Sequence, residues 1–185
     1  MKLKKVNAAL GMMSILFMVL HIVYSVFAYL TMYYNPKLKM VFAVPFIVCV
    51  CLHAVCGMTI MFMQKDGGRD LYPKLNMRTV LQRISAALIF PLLILHINTF
   101  SLMQSSAEKG FKIFVVLLII AELLFFAVVI THVAVSLSSG LVTLGLLTSP
   151  KARTVVDKCA YVIGAAAFIL SAYAVVKGQV AMFLL

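Results

Sequence analysis

Charge is what this 185-residue sequence has least of. Asp, Glu, Lys and Arg together make up 11% of it, against 64% apolar residues. Soluble globular domains are about a quarter charged and about half apolar, so the composition excludes that class; the mean hydropathy of +1.12 points the same way. The chain also lacks a glycine-rich dinucleotide turn and any cysteine cluster spaced for an iron–sulfur centre. Its four cysteines are Cys49, Cys51, Cys56 and Cys159. Cys49 and Cys51 are two apart and point to different sides of a helix, which suits small apolar fillers.

What is present is long apolar runs. A bilayer is crossed by roughly 20 residues at 1.5 Å rise each, and five stretches qualify: Val6–Tyr33, Lys39–Gln64, Thr79–Gln104, Phe111–Gly140 and Thr154–Lys177. The expectation is an all-α integral membrane protein, one domain over residues 1–185, with five transmembrane helices in an up-down bundle. Lys2, Lys4 and Lys5 before the first run, and Val26-Phe27-Ala28 within it, imitate a secretory signal. Signal h-regions run only about 7–15 residues, so the first run is expected to stay as a helix.

The net charge of +11 raises a nucleic-acid partner, but its distribution argues for topology instead. With the N-terminus inside, the inner segments hold Lys2, Lys4, Lys5, Lys65, Arg69, Lys74, Arg78, Arg83, Lys151, Arg153 and Lys158. The outer ones hold Lys37, Lys39, Lys109, Lys112 and Lys177. This positive-inside bias predicts a cytoplasmic N-terminus and an outer C-terminus, with the chain multi-pass in the cell's inner membrane and no nucleic acid bound.

Histidine is the informative residue. The chain has four, His21, His53, His96 and His132, one on each of the first four runs. An ionisable side chain inside a span is costly and normally faces the bundle interior to do a job there. For a lone histidine, a core hydrogen bond across helices is a sufficient explanation. One on each of four helices makes two pairs, and paired imidazoles in a helical bundle are how a protein holds a haem by both faces. Neutral imidazole is also a proper iron ligand, which makes its burial tolerable.

Depth sorts the pairs. Counted from the inner edges of alternating spans, His21, His96, His53 and His132 lie at about 22, 26, 16 and 12 Å. His21 and His96 form an outer pair, His53 and His132 an inner one, with mean heights roughly 10 Å apart. Small residues accompany them. Gly11, Ser14, Met18, His21, Ser25 and Ala28 make one stripe on the first helix, Cys49, Cys56 and Gly57 flank His53, and Ser85 shares a face with His96. Ordinary small-residue packing produces such stripes too; the histidines within them favour a bound group. No CxxCH occurs, so covalent haem attachment has no support.

With these residues in hand, the chain resembles the cytochrome b membrane anchor of succinate:quinone oxidoreductases (succinate dehydrogenase and fumarate reductase), in the five-helix, two-haem form. His53-Ala-Val-Cys-Gly57 looks like that family's haem histidine followed four positions later by glycine. Leu81-Gln82-Arg83-Ile84-Ser85 resembles the stretch entering its third span, and Gly145 and Pro150 recur after His132. The resemblance covers nearly the whole chain. It implies two haem b groups, with His21 and His96 on the outer iron and His53 and His132 on the inner one. It further implies an iron–sulfur subunit and a flavoprotein subunit on the cytoplasmic face. Menaquinone or another quinone would react near the outer haem. Substrate chemistry on succinate or fumarate would belong to the other subunits, not to this chain.

Two departures stand out. Ser136-Leu137 occupies the place of glycine-leucine, a small change, and the outer segment Tyr34-Asn35-Pro36-Lys37 carries no acid, although members of the family that oxidise menaquinol tend to use one there. Glu122, ten residues from His132, is the one acid well inside a span, about 15 Å outward of that histidine and turned toward a neighbouring helix. It is a candidate for quinone proton exchange, or only a hydrogen-bonding side chain. Arg83 and Ser85 are candidates for a haem propionate or the partner subunit, with a topology anchor as the plainer reading of Arg83. Two other classes stay open. One is a cytochrome b for a different quinone-linked dehydrogenase or reductase. The other is a small proton or metal transporter using the histidines and Glu122 as a relay; Pro45 and Pro91 interrupt spans as transporter helices are interrupted, but no halves repeat.

Overall fold

The computed structural model describes residues 2–63 and 73–185. They form α1 (Lys2–Thr31), α2 (Pro36–Met63), α3 (Pro73–Glu108), α4 (Lys112–Leu144) and α5 (Pro150–Phe183), with no strand among the described residues. Each helix holds a stretch long and apolar enough to cross a bilayer, and the chain is a multi-pass membrane protein. Gln64, the expected end of the second span, lies outside the described residues, as do Lys65 and Arg69.

The helices outrun the apolar runs. α3 begins at Pro73 rather than Thr79, and α5 covers Pro150–Phe183 rather than 154–177. Apolar composition marks only the part of a helix that sits in hydrocarbon, whereas the hydrogen-bond ladder continues until a local signal stops it. Proline opens α2, α3 and α5, where its missing N–H costs nothing. α4 stops at Gly145, whose φ of +80° few other residues adopt. There the N–H groups of Gly145 and Leu146 bond back to the carbonyls of Val142 and Leu141, both at 3.0 Å. Pro45 and Pro91 break neither helix: α2 and α3 run through them, as transmembrane helices can where neighbours satisfy the freed groups.

The short connections from α1 to α2, α3 to α4 and α4 to α5 make those neighbours antiparallel. At the turn between α1 and α2, the Tyr24 hydroxyl donates to the Asn35 carbonyl and accepts from the Asn35 N–H, both at 2.8 Å. The Asn35 side chain then caps α2 by accepting from the Leu38 N–H at 3.2 Å. α1 packs along α2 and also against α4 and α5, while α4 lies between α3 and α5. The tightest core is at the far end of α3, α4 and α5, away from the N-terminus, where Met103, Val115, Leu118 and Ile119 are buried together. α2 buries none of its described residues.

Polar groups tie the opposite end. The Arg78 guanidinium on α3 grips both Asp157 oxygens on α5 at 2.9 Å each, and donates to the Ser138 hydroxyl and the Val135 carbonyl of α4 at 2.8 and 2.7 Å. Gln82 donates to the same Val135 carbonyl at 2.8 Å. This knot joins three helices in a two-pronged geometry that suits arginine.

Candidate functional site

The four histidines meet as two pairs. The rings of His21 and His96 have centroids 6.4 Å apart and planes at 89°; those of His53 and His132 are 6.5 Å apart at 69°. These are the pairs that depth counting groups together. Each pair spans helices that do not pack on one another: among the described residues, neither α1 with α3 nor α2 with α4 forms an extensive contact. The rings reach toward one another across the space between helix backbones.

The two pairs lie at distinct heights. Gly11 is level with His53, because a Cβ there would sit 3.1 Å from the His53 Cε1; His21 is ten residues further along α1. Ser85 touches His132, and His96 is eleven residues further along α3. Both offsets amount to about 15–17 Å, larger than the roughly 10 Å that span edges gave. The edges of the apolar runs are not level in the folded bundle, where α1, α3 and α4 have 30, 36 and 33 residues.

Hydrogen bonds hold three of the rings by one particular nitrogen. His53 Nδ1 lies 2.9 Å from the Asn7 carbonyl oxygen. A carbonyl only accepts, so Nδ1 carries the proton and Nε2 keeps its lone pair. His132 Nδ1 lies 3.0 Å from the Ser85 hydroxyl. That hydroxyl also lies 2.7 Å from the Leu81 carbonyl and 3.1 Å from the Gln82 carbonyl; with its one proton on a carbonyl, it accepts from His132 Nδ1–H. His96 Nδ1 lies 2.8 and 3.0 Å from the two Glu122 oxygens, and donates to that carboxylate. His53 Nε2 is thereby left as the electron-pair donor, and the Nδ1 contacts of His132 and His96 allow the same tautomer, the arrangement by which outer-shell partners prepare a metal-binding histidine. His21 differs: its Nδ1 is buried and without a hydrogen-bond partner.

These residues fit a porphyrin better than a bare ion. Among the described residues, no group of three or more His, Cys, Asp or Glu gathers as a metal site. Two imidazoles suffice only when the other ligands come from elsewhere, and a porphyrin brings four nitrogens of its own. With metal–nitrogen bonds of about 2.0–2.1 Å, an imidazole–metal–imidazole unit spans roughly 6.4 Å from ring centre to ring centre. Both pairs have that spacing.

The remaining candidates fall into place around the pairs. Ser85, a candidate for a haem propionate or the partner subunit, lies against His132. Glu122, only 4% exposed, faces α3 as its turn angle predicts, and is bound to His96. Arg83 is exposed on α3. Near the far end, Tyr29 of α1 packs over Gly178 of α5, where a Cβ would clash with its ring. The Gln179 side chain donates to the Tyr29 hydroxyl at 3.4 Å and leaves its own oxygen buried without a partner. Asn7, Arg78, Asp157, Tyr29 and Gln179 were not singled out as site residues from the sequence. The one available signal was that each is polar within, or at the edge of, an apolar run. Comparison of the chain with protein-family models, with curated proteins and with solved structures finds no match.

Proposed function

We propose that the chain is a di-haem cytochrome b that anchors a succinate dehydrogenase or fumarate reductase complex and carries electrons between an iron–sulfur subunit and membrane quinone. One observation carries the reading: two pairs of imidazoles, 6.4 and 6.5 Å between centres, with Nδ1 engaged by a neighbour in three of the four rings. His21 and His96 would hold one haem, His53 and His132 the other. Bound haem supplies one-electron transfer. The chain's own residues hold the rings at two levels of the membrane and fix their tautomers, and the apolar helices keep water from the space between. The His53–His132 pair lies nearer the basic end, where positively charged segments suit docking of the iron–sulfur and flavoprotein subunits. The other pair lies near Glu122, Tyr29 and Gln179, polar groups suited to the head of menaquinone or a related quinone.

A reduced-minus-oxidised visible spectrum of the purified chain tests the reading. The expected result is b-type bands at two haems per chain. His53→Ala and His132→Ala should each delete one haem, and His21→Ala and His96→Ala the other. A colourless chain from cells with ample haem would remove the cytochrome reading and favour a proton or metal relay. If His21→Ala and His53→Ala delete the same haem, the pairing is wrong. Purification in mild detergent identifies the partner; a dehydrogenase without a succinate-oxidising flavoprotein would point to another quinone-linked complex.

A further inference from the structure

The two histidine pairs are not chemically equivalent, and the difference lies at Nδ1. His53 Nδ1 meets a backbone carbonyl and His132 Nδ1 a serine hydroxyl, both neutral partners. His96 alone donates to a carboxylate, with Glu122 oxygens at 2.8 and 3.0 Å. Glu122 is 4% exposed, so little solvent screens the contact, and a hydrogen bond strengthens where the dielectric is low. The ring is also fixed in orientation by stacking on Phe125, centroids 4.8 Å apart at 26°.

We propose that Glu122 is a positioning residue that strengthens His96 as an electron donor and thereby lowers the reduction potential of the iron held by His21 and His96. The inference rests on the haem reading above. A carboxylate drawing on the Nδ1 proton raises the basicity of Nε2 across the ring. A more basic axial ligand favours the oxidised metal, and hydrogen bonding around the ligands is one of the levers that set haem potential. The sequence placed Glu122 beside a possible quinone; the geometry gives it a second task, performed through the ligand.

The test is a redox titration of the purified, haem-loaded chain, comparing wild type with Glu122→Gln and Glu122→Asp. Glutamine keeps the size and a hydrogen-bond acceptor but removes the charge. The expected result is two haems retained, with one midpoint potential raised and the other unchanged. The shifted haem should be the one that His96→Ala deletes, and the Asp variant should bring the potential back toward wild type. Two haems at wild-type potentials would overturn the inference and leave the haem reading standing, as would a shift confined to the His53–His132 haem. If Glu122→Gln loses its haem, near-infrared magnetic circular dichroism of the oxidised wild type decides. One imidazole-like and one imidazolate-like signature supports the proposal, and two imidazole-like signatures overturn it. A wild-type chain without haem overturns both.

Discussion

At Gly11 one absent methyl group decides where a histidine can stand. A Cβ there would lie 3.1 Å from His53 Cε1 and 3.3 Å from its Nδ1, closer than ordinary van der Waals contact. The ring cannot simply withdraw, because its Nδ1 is bonded to the Asn7 carbonyl at 2.9 Å. Alanine is the better helix former by about 1 kcal/mol, which favours Gly11→Ala. Overpacking costs about 1–3 kcal/mol, and a lost hydrogen bond about 0.5–1.5 kcal/mol, which together outweigh that gain. Gly11→Ala should therefore destabilise the protein by about 0.5–3.5 kcal/mol. On the proposed di-haem reading it should loosen the haem that His53 would hold while sparing the other, and haem retention during extended dialysis measures this directly. A variant that keeps both haems as firmly as wild type would show that the close approach is incidental. The stripe containing Gly11 was legible in the sequence as a line of small residues. Its object was not, because spacing along one helix does not say which ring on another helix arrives there.

Between elements, the Arg78–Asp157 pair does for three helices what small-residue packing does for two. Arg78 reaches α4 and α5 from α3, and the two side chains are 25% and 21% exposed. The pair thus sits between a surface ion pair worth about 0–1 kcal/mol and a buried one whose breakage costs about 3–5 kcal/mol. Asp157→Asn should lower stability by about 1–3 kcal/mol, read as a lower melting midpoint by circular dichroism in mild detergent, and Arg78→Lys should lower it too because a lysine cannot grip both oxygens. An unchanged midpoint in both variants would mean that α5 is held by its apolar contacts alone. Nothing in the sequence singled out this pair. Arg78 reads as one more charge in a basic segment, and Asp157 lies 79 residues away, a separation that only the packed bundle closes. The histidines were legible for the opposite reason: each is isolated in apolar surroundings, so each stands out before any fold is known. Their heights were less so, since the ends of apolar runs are not the ends of helices.

In the molecule as a whole, the packing has a division that the histidines cross. α3, α4 and α5 share the buried core at the far end, and α1 joins them through α4 and α5. α2 has one extensive partner, α1, and none of its described residues is buried. Among the described residues, the His53 ring comes within 6.5 Å of the His132 ring of α4, centre to centre. A group clamped between those rings adds contacts that the helices do not make by themselves, and it binds only the folded arrangement. Such a ligand stabilises by about 4 kcal/mol at a thousand times its dissociation constant. On the proposed reading that this group is haem, its removal should therefore act unevenly. In chain produced without haem synthesis, amide hydrogen exchange should quicken most along α2 and much less around Met103, Val115 and Leu118. Adding haem back to the detergent-solubilised chain should restore the slow exchange. His132→Ala should reproduce the fast exchange of α2 even when haem is supplied, because the clamp on that side is gone, whereas His96→Ala should leave α2 largely protected. Equal exchange along α2 in all of these states would mean that the second helix is secured by α1 alone and that the His53–His132 pair bears no part of the bundle's cohesion.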